Sequence, residues 1–262
     1  MRFQRPGAVG LRVDGIYFES SQGRLHVVGR IHADPNAPAM VIVGGAFPPK
    51  ELKHDLINLF PRASIVVCRY PGMHSEAWTK PGPRHVATAL DELLKAWLPG
   101  RRVAAFGIST GCLVTLNLQA PEVRRQIAME PFLGTAHTTP FIAYCRDYLA
   151  KAPDNKPLIT FLDDIFGITQ TTVTDRDYRD FRSDPSLPLD LIVGSSEDTG
   201  GAMWPSFTRE VDREILLNRP EARLFVGPPG SGHHVETTPE AEAMVRDCVA
   251  QALDALAADV KP

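Results

Sequence analysis

The stretch "RVAAFGISTGCLVTLNL", residues 102–118, decides the fold. Its first half is a short apolar run, as in a strand buried on both faces. Its second half, continued to Ala120 and stopped by Pro121, predicts a helix. Between them lies Gly107-Ile108-Ser109-Thr110-Gly111. Two glycines without Cβ atoms allow a tight strand-to-helix turn, which forces Ser109 into a strained backbone conformation and lifts its hydroxyl above the sheet. The first N–H groups of the following helix are expected to face any anion formed there. With Gly and Ser each at roughly 7% of residues, a random chain of this length would carry such a pattern about one time in ten. Its weight therefore comes from its place between a buried strand and a helix. A phosphate-binding loop would need a lysine after the last glycine, and Cys112 stands there.

The same alternation extends in both directions. "AMVIVGG" and "ASIVVCRY" read as buried strands, with the helical pattern of "PPKELKHDLINLF" between them. "HVATALDELLKAWL" is an amphipathic helix leading into the Ser109 strand, and "RRQIAMEPF" supplies a further short strand. Later come the strand "PLDLIVGSS", the helix "SFTREVDREILLN", the strand "ARLFVG" and the helix "TPEAEAMVRDCVAQALDAL". At the start, "GIYFES" and "RLHVVGRIHA" flank "SQG" as a hairpin. Repeated strand–helix alternation predicts an α/β fold, a doubly wound and mostly parallel sheet with helices on both faces. The pattern lapses over residues 133–185, which carry helix-like pieces and no good buried strand. Residues 1–132 and 186–262 are thus expected to form one core, and 133–185 a small helical lid. About 50 residues is too few for an independent domain of ordinary size.

Bulk properties narrow the function. The 262 residues are 44% apolar and 23% charged, with a net charge of −3. No basic run suits a nucleic-acid partner. No window offers the roughly 18 apolar residues of a membrane span, and the N-terminus lacks a continuous apolar stretch of signal-peptide length. The four cysteines, Cys68, Cys112, Cys145 and Cys248, are scattered without metal-type spacing. They point to buried free thiols and a cytoplasmic location. Neither a metal site nor a cofactor is suggested, and G-x-G-x-x-G is missing after the first parallel strand.

A serine hydroxyl needs a positioned base to become a nucleophile. His233 and His234 lie in "GPPGSGHHVETTP", between the last strand and the last helix. Loops at the carboxyl ends of strands line the ligand crevice of such sheets. His233, directly after Gly-Ser-Gly, is the first candidate and His234 the second. An orienting acid comes from "GSSEDTGG", which offers Asp198 first and Glu197 second, or from Glu130 in "AMEPF". An oxyanion hole needs backbone donors. Thr110 N–H is one, and Ala46 N–H, after Gly44-Gly45, is the other, with Phe47 as the alternative.

With these residues in place the chain resembles the α/β-hydrolase family over nearly its whole length. The order of nucleophile, acid and histidine is that family's order. "RYPGMHSE", residues 69–76, is similar to its loop after the strand preceding the nucleophile strand. The insertion falls where the family carries its lid, between its sixth and seventh strands. In the acid loop, Glu197 holds the family's usual offset from Gly194 and Asp198 the next place. Gly44-Gly45 replaces the family's usual His-Gly. The resemblance implies a serine hydrolase acting on an ester or thioester through an acyl-enzyme. The substrate would be a small acyl compound, or a thioester of coenzyme A or a carrier protein. His74, Phe47 and Trp204 are candidate substrate contacts. The alternatives are acyl transfer by the same residues and a non-catalytic binding protein on the same fold.

Overall fold

The computed structural model describes residues 11–45, 56–69, 83–131, 150–151, 182–195, 210–232 and 238–258. Its strands are β1 (Leu11–Ser20), β2 (Gly23–Ile31), β3 (Ala39–Val43), β4 (Ser64–Cys68), β5 (Val103–Ile108), β6 (Val123–Met129), β7 (Leu189–Val193) and β8 (Arg223–Val226). Its named helices are α1 (Pro83–Trp97), α2 (Gly111–Thr115), α3 (Glu210–Leu217) and α4 (Pro239–Ala258). Residues 56–59 are also helical.

The strands form one eight-stranded sheet in the order β1-β2-β4-β3-β5-β6-β7-β8. The β1–β2 and β2–β4 pairs are antiparallel, and every later pair is parallel. The expected α/β class and doubly wound sheet are therefore observed. Side chains of β3, β4, β5 and β7 are buried along their full length, which is why their sequences are nearly continuous apolar runs.

Each face of the sheet has its own apolar layer. On one face Val41, Val43, Val66, Val103 and Ala105 meet α1 through Val86, Leu90, Leu93 and Leu94. The same face continues across Ala128, Leu191 and Val193 to Cys112 and Leu116 beside α2 and to Leu216 of α3. On the other, Met40, Ile42, Ile65, Phe106, Ile127 and Ile192 meet α4 through Val245, Val249, Ala252 and Leu256.

Two local expectations are corrected. The helix after Ser109 ends at Thr115 rather than running to Ala120. The N–H groups of Leu116, Asn117 and Leu118 still donate to the Cys112, Val114 and Thr115 carbonyls, but those of Gln119 and Ala120 donate to the Asp91 carboxylate of α1. The Thr115 carbonyl accepts from the Gln126 side-chain amide. At the N-terminal side, β1 begins at Leu11 rather than near Gly15. A register shift between Val13 and Ile16, with Gly15 at φ 56°, marks a bulge that hides the strand's alternation.

At the opposite end of the sheet from the candidate site, Asp190 is fully buried near the start of β7. Its carboxylate accepts from Arg223 at 2.7 and 2.9 Å and from Arg125 at 3.2 Å. Cys68, Cys112 and Cys248 are buried and stand outside any disulfide, as expected, and Cys145 lies outside the described residues. Among the described residues no helix is long and apolar enough to cross a membrane, and no cluster of His, Cys, Asp or Glu could hold a metal.

Candidate active site

β5 sits inside the parallel part of the sheet, between β3 and β6, and Ser109 is the first residue beyond its end. Ser109 is in the left-handed region, with φ 53°. For a residue with a Cβ this costs on the order of 1–3 kcal/mol, and such residues cluster at functional sites. Two hydrogen bonds fix it. Its N–H donates to the Met129 carbonyl of β6 at 2.8 Å, and its carbonyl accepts from Cys112 N–H at 3.0 Å. The side chain is only partly covered, so the hydroxyl is not sealed in the core.

The two glycines of the motif act through space. A Cβ on Gly107 would lie 2.4 Å from Thr115 Oγ1 and 2.5 Å from Cys112 Cα. A Cβ on Gly111 would lie 2.1 Å from the Val43 carbonyl oxygen. Neither contact is tolerable, so helix α2 can pack this tightly against β5 and the end of β3 only with glycine at both places. The strained φ falls on the serine, not on the glycines. With only five residues, α2 supplies less of a macrodipole than the longer helix expected from sequence.

Gly45 brings a second loop to the serine. A Cβ there would stand 2.8 Å from Ser109 Cβ and 3.3 Å from Oγ. The backbone after β3 therefore passes directly over the hydroxyl, as a loop supplying N–H donors would have to. Thr110 is fully buried, and its hydroxyl has no hydrogen-bond partner among the described residues.

Glu130 follows β6 as Ser109 follows β5. It too is left-handed, with φ 48°, and it is fully buried. Its N–H donates to the Ile192 carbonyl at 2.9 Å. Its Oε1 accepts from Gly194 N–H, just past β7, at 2.5 Å. Gly194 in turn touches the loop after β8, where a Cβ would lie 2.4 Å from the Gly232 carbonyl oxygen and 2.7 Å from that of Ser231. Ser195 N–H donates to Ser231 Oγ at 3.2 Å, and the Ser195 hydroxyl donates to the Pro228 carbonyl at 2.6 Å. The loops after β7 and β8 are thus tied together over Glu130. Next to them the Cys112 thiol is pushed well above its ordinary pKa, first by burial and also by the Glu130 charge. It stays protonated and is therefore a poor nucleophile.

Of the residues singled out from sequence, Ser109, Thr110 and Glu130 are described. The structure brings Ser109 and Glu130 to the ends of adjacent strands. His233, His234, Glu197, Asp198, Ala46, Phe47, His74 and Trp204 lie outside the described residues, as does all of 133–185 except 150–151 and 182–185. Their described chain neighbours are Gly45, Ser195 and Gly232. Sequence reading placed Glu130 behind the two loop acids. The signal it carried was an acid directly after an apolar strand and directly before Pro131.

No known protein-family model matches the chain, and no curated protein matches it. Solved structures match its fold. An enol-lactonase from Burkholderia xenovorans superposes with a TM-score of 0.63 at 16% identity, over 90% of this chain and 98% of that one. An esterase from Pyrococcus furiosus gives 0.60 at 16%, over 92% and 90%. An N-formylmaleamic acid deformylase from Pseudomonas putida gives 0.58 at 12%, over 88% and 99%. At these identities the likeness is one of fold, and the fold is that of the α/β-hydrolases.

Proposed function

We propose that this protein is a serine hydrolase that cleaves an ester or thioester. The observation that carries the reading is Ser109 itself. It is left-handed at the end of β5, held between two glycines that admit no side chain, with Gly45 against its hydroxyl. The fold neighbours, a lactonase, an esterase and a deformylase, are in keeping with a hydrolase and do not choose the bond.

In this reading the Ser109 hydroxyl gives its proton to the His233 imidazole as Oγ bonds to the substrate carbonyl carbon. The resulting oxyanion is taken up by the N–H groups of Thr110 and Ala46. Collapse breaks the bond to the alkoxide or thiolate, which leaves with the proton from the imidazolium. Water then gives a proton to the same imidazole and attacks the acyl carbon. The serine oxygen departs, regains the proton, and the carboxylic acid is released. An acid among Asp198, Glu197 and Glu130 holds the imidazole in the required tautomer. Phe47, His74 and Trp204 would contact the acyl substrate.

A fluorophosphonate tests this without knowledge of the substrate. Ser109 Oγ bonds to phosphorus, fluoride leaves, and the protein gains one adduct. The expected result is one adduct on wild type and none on Ser109→Ala. A folded wild type that remains unlabelled overturns the proposal. A panel of aryl esters, acyl thioesters and amides then assigns the bond. Turnover of amides alone would move the protein to another hydrolase class.

A further inference from the structure

We infer that Glu130, rather than either acid of the loop after β7, is the carboxylate that positions the histidine. This rests on the hydrolase reading above and specifies its third residue.

Three observations converge on Glu130. The first is strain. Among the described residues only Ser109, Glu130 and Glu221 are non-glycine residues with positive φ, and Glu221 lies in an exposed turn. The other two end adjacent strands, where Ser109 N–H is bonded to the carbonyl of the residue just before Glu130. Glu130 also precedes Pro131, a place where backbone sterics favour extended conformations. A left-handed φ is therefore especially costly there.

The second is burial. Glu130 is a fully buried acid at the carboxyl end of the sheet, where a neutral side chain would avoid the desolvation cost of a carboxylate. An anion in such a place strongly favours formation of an imidazolium beside it, which is the task of the orienting acid.

The third is adjacency. The carboxylate holds Gly194 N–H, and Gly194 packs on the carbonyls of Ser231 and Gly232. Gly232 directly precedes His233 in the chain. A side chain at Gly194 would prop the two loops apart, which explains glycine at that position.

A purely structural role, anchoring Gly194, makes a different prediction. Glutamine retains a side-chain oxygen that can accept the same N–H but carries no charge. The test is the rate of fluorophosphonate labelling of Ser109 as a function of pH, with near-UV circular dichroism as the check of folding. For Glu130→Gln the expected result is a fall of about 10³-fold or more at neutral pH, comparable with loss of the acid from a Ser-His-Asp triad. The pKa governing labelling should also move down, since an imidazolium loses its anionic partner. Glu130→Asp should recover part of the rate. The double variant Glu197→Gln/Asp198→Asn should label within about fivefold of wild type.

Near wild-type labelling of Glu130→Gln, or an unmoved pKa, overturns the inference. Should Glu130→Gln fail to fold, the double variant decides. Near wild-type labelling supports Glu130, and a loss of about 100-fold or more assigns the role to the loop acids and refutes it. An unlabelled wild type would bring down the hydrolase reading and this inference with it. A labelled wild type with an indifferent Glu130→Gln brings down the inference alone.

Discussion

Gly45→Ala is the smallest change that should disable the site without touching a reacting group. The new methyl carbon would be built 2.8 Å from Ser109 Cβ, 3.1 Å from the Ile108 carbonyl oxygen and 3.3 Å from Ser109 Oγ. Carbon atoms in contact prefer about 3.5–4.0 Å. The loop and the serine must therefore separate by about 1 Å. Neither side yields easily. Ser109 is pinned by its N–H to Met129, and the next residue but one, Gly111, lies against the Val43 carbonyl at the root of the Gly45 loop. A misplacement of about 1 Å between nucleophile and oxyanion donors can cost on the order of 100-fold in rate. Gly45→Ala should therefore label with fluorophosphonate about 100-fold more slowly than wild type, while near-UV circular dichroism is retained. Gly45→Ser should do the same or worse. Labelling within about threefold of wild type in the folded alanine variant would refute the argument that this loop sits on the serine hydroxyl.

Three further outcomes are expected. Burial holds the Asp91 carboxyl up at about 6, against an ordinary 3.8, despite the Gln119 and Ala120 N–H donors. A carboxyl raised on folding adds stability below the unfolded value that is lost as pH rises through the folded one. Wild type should thus lose about 2 kcal/mol relative to Asp91→Asn between pH 4.5 and 7.5, read from paired urea titrations, and a pH-independent difference would contradict this. Asp190→Ala leaves the guanidiniums of Arg125 and Arg223 without their shared anion. It should lower stability by about 3 kcal/mol in urea while the labelling rate of the folded fraction is unchanged. Ser109→Gly removes the Cβ from a left-handed residue and should raise stability by about 1 kcal/mol, after the entropy cost of glycine, while abolishing labelling. A destabilised glycine variant would mean that Ser109 carries no strain.

The legible parts of this sequence are those where one physical demand acts on several neighbouring residues. "MVIV", "IVVC" and "VAAF" had to be apolar throughout because parallel strands are covered on both faces. Gly107 and Gly111 stand at a fixed spacing because each faces an atom that leaves no room for a methyl. What was not legible depended on one distant partner. Nothing near "TLNLQA" announces that Asp91, 28 residues away from Gln119, will draw off the N–H groups of Gln119 and Ala120. Glu130 hides for the same reason. Its carboxylate is held by Gly194, 64 residues further on, and its left-handed φ runs against the extended conformation that Pro131 favours.

These two strained residues also explain each other. A left-handed residue persists only where its surroundings leave no alternative. Ser109 is held by the Met129 carbonyl, which directly precedes Glu130, and Glu130 is held by the Ile192 carbonyl and by Gly194 N–H. The strain at the serine is thus referred strand by strand across the sheet to the β7 and β8 loops. Loosening the Glu130–Gly194 contact should relax the Met129 carbonyl and, through it, the serine. On the proposed reading, the buried acid two strands from the β8 loop would be coupled to Ser109 by backbone as well as by charge. The pH profile of labelling separates the two, because backbone slack slows Ser109 equally at every pH whereas loss of the charge moves the titration itself.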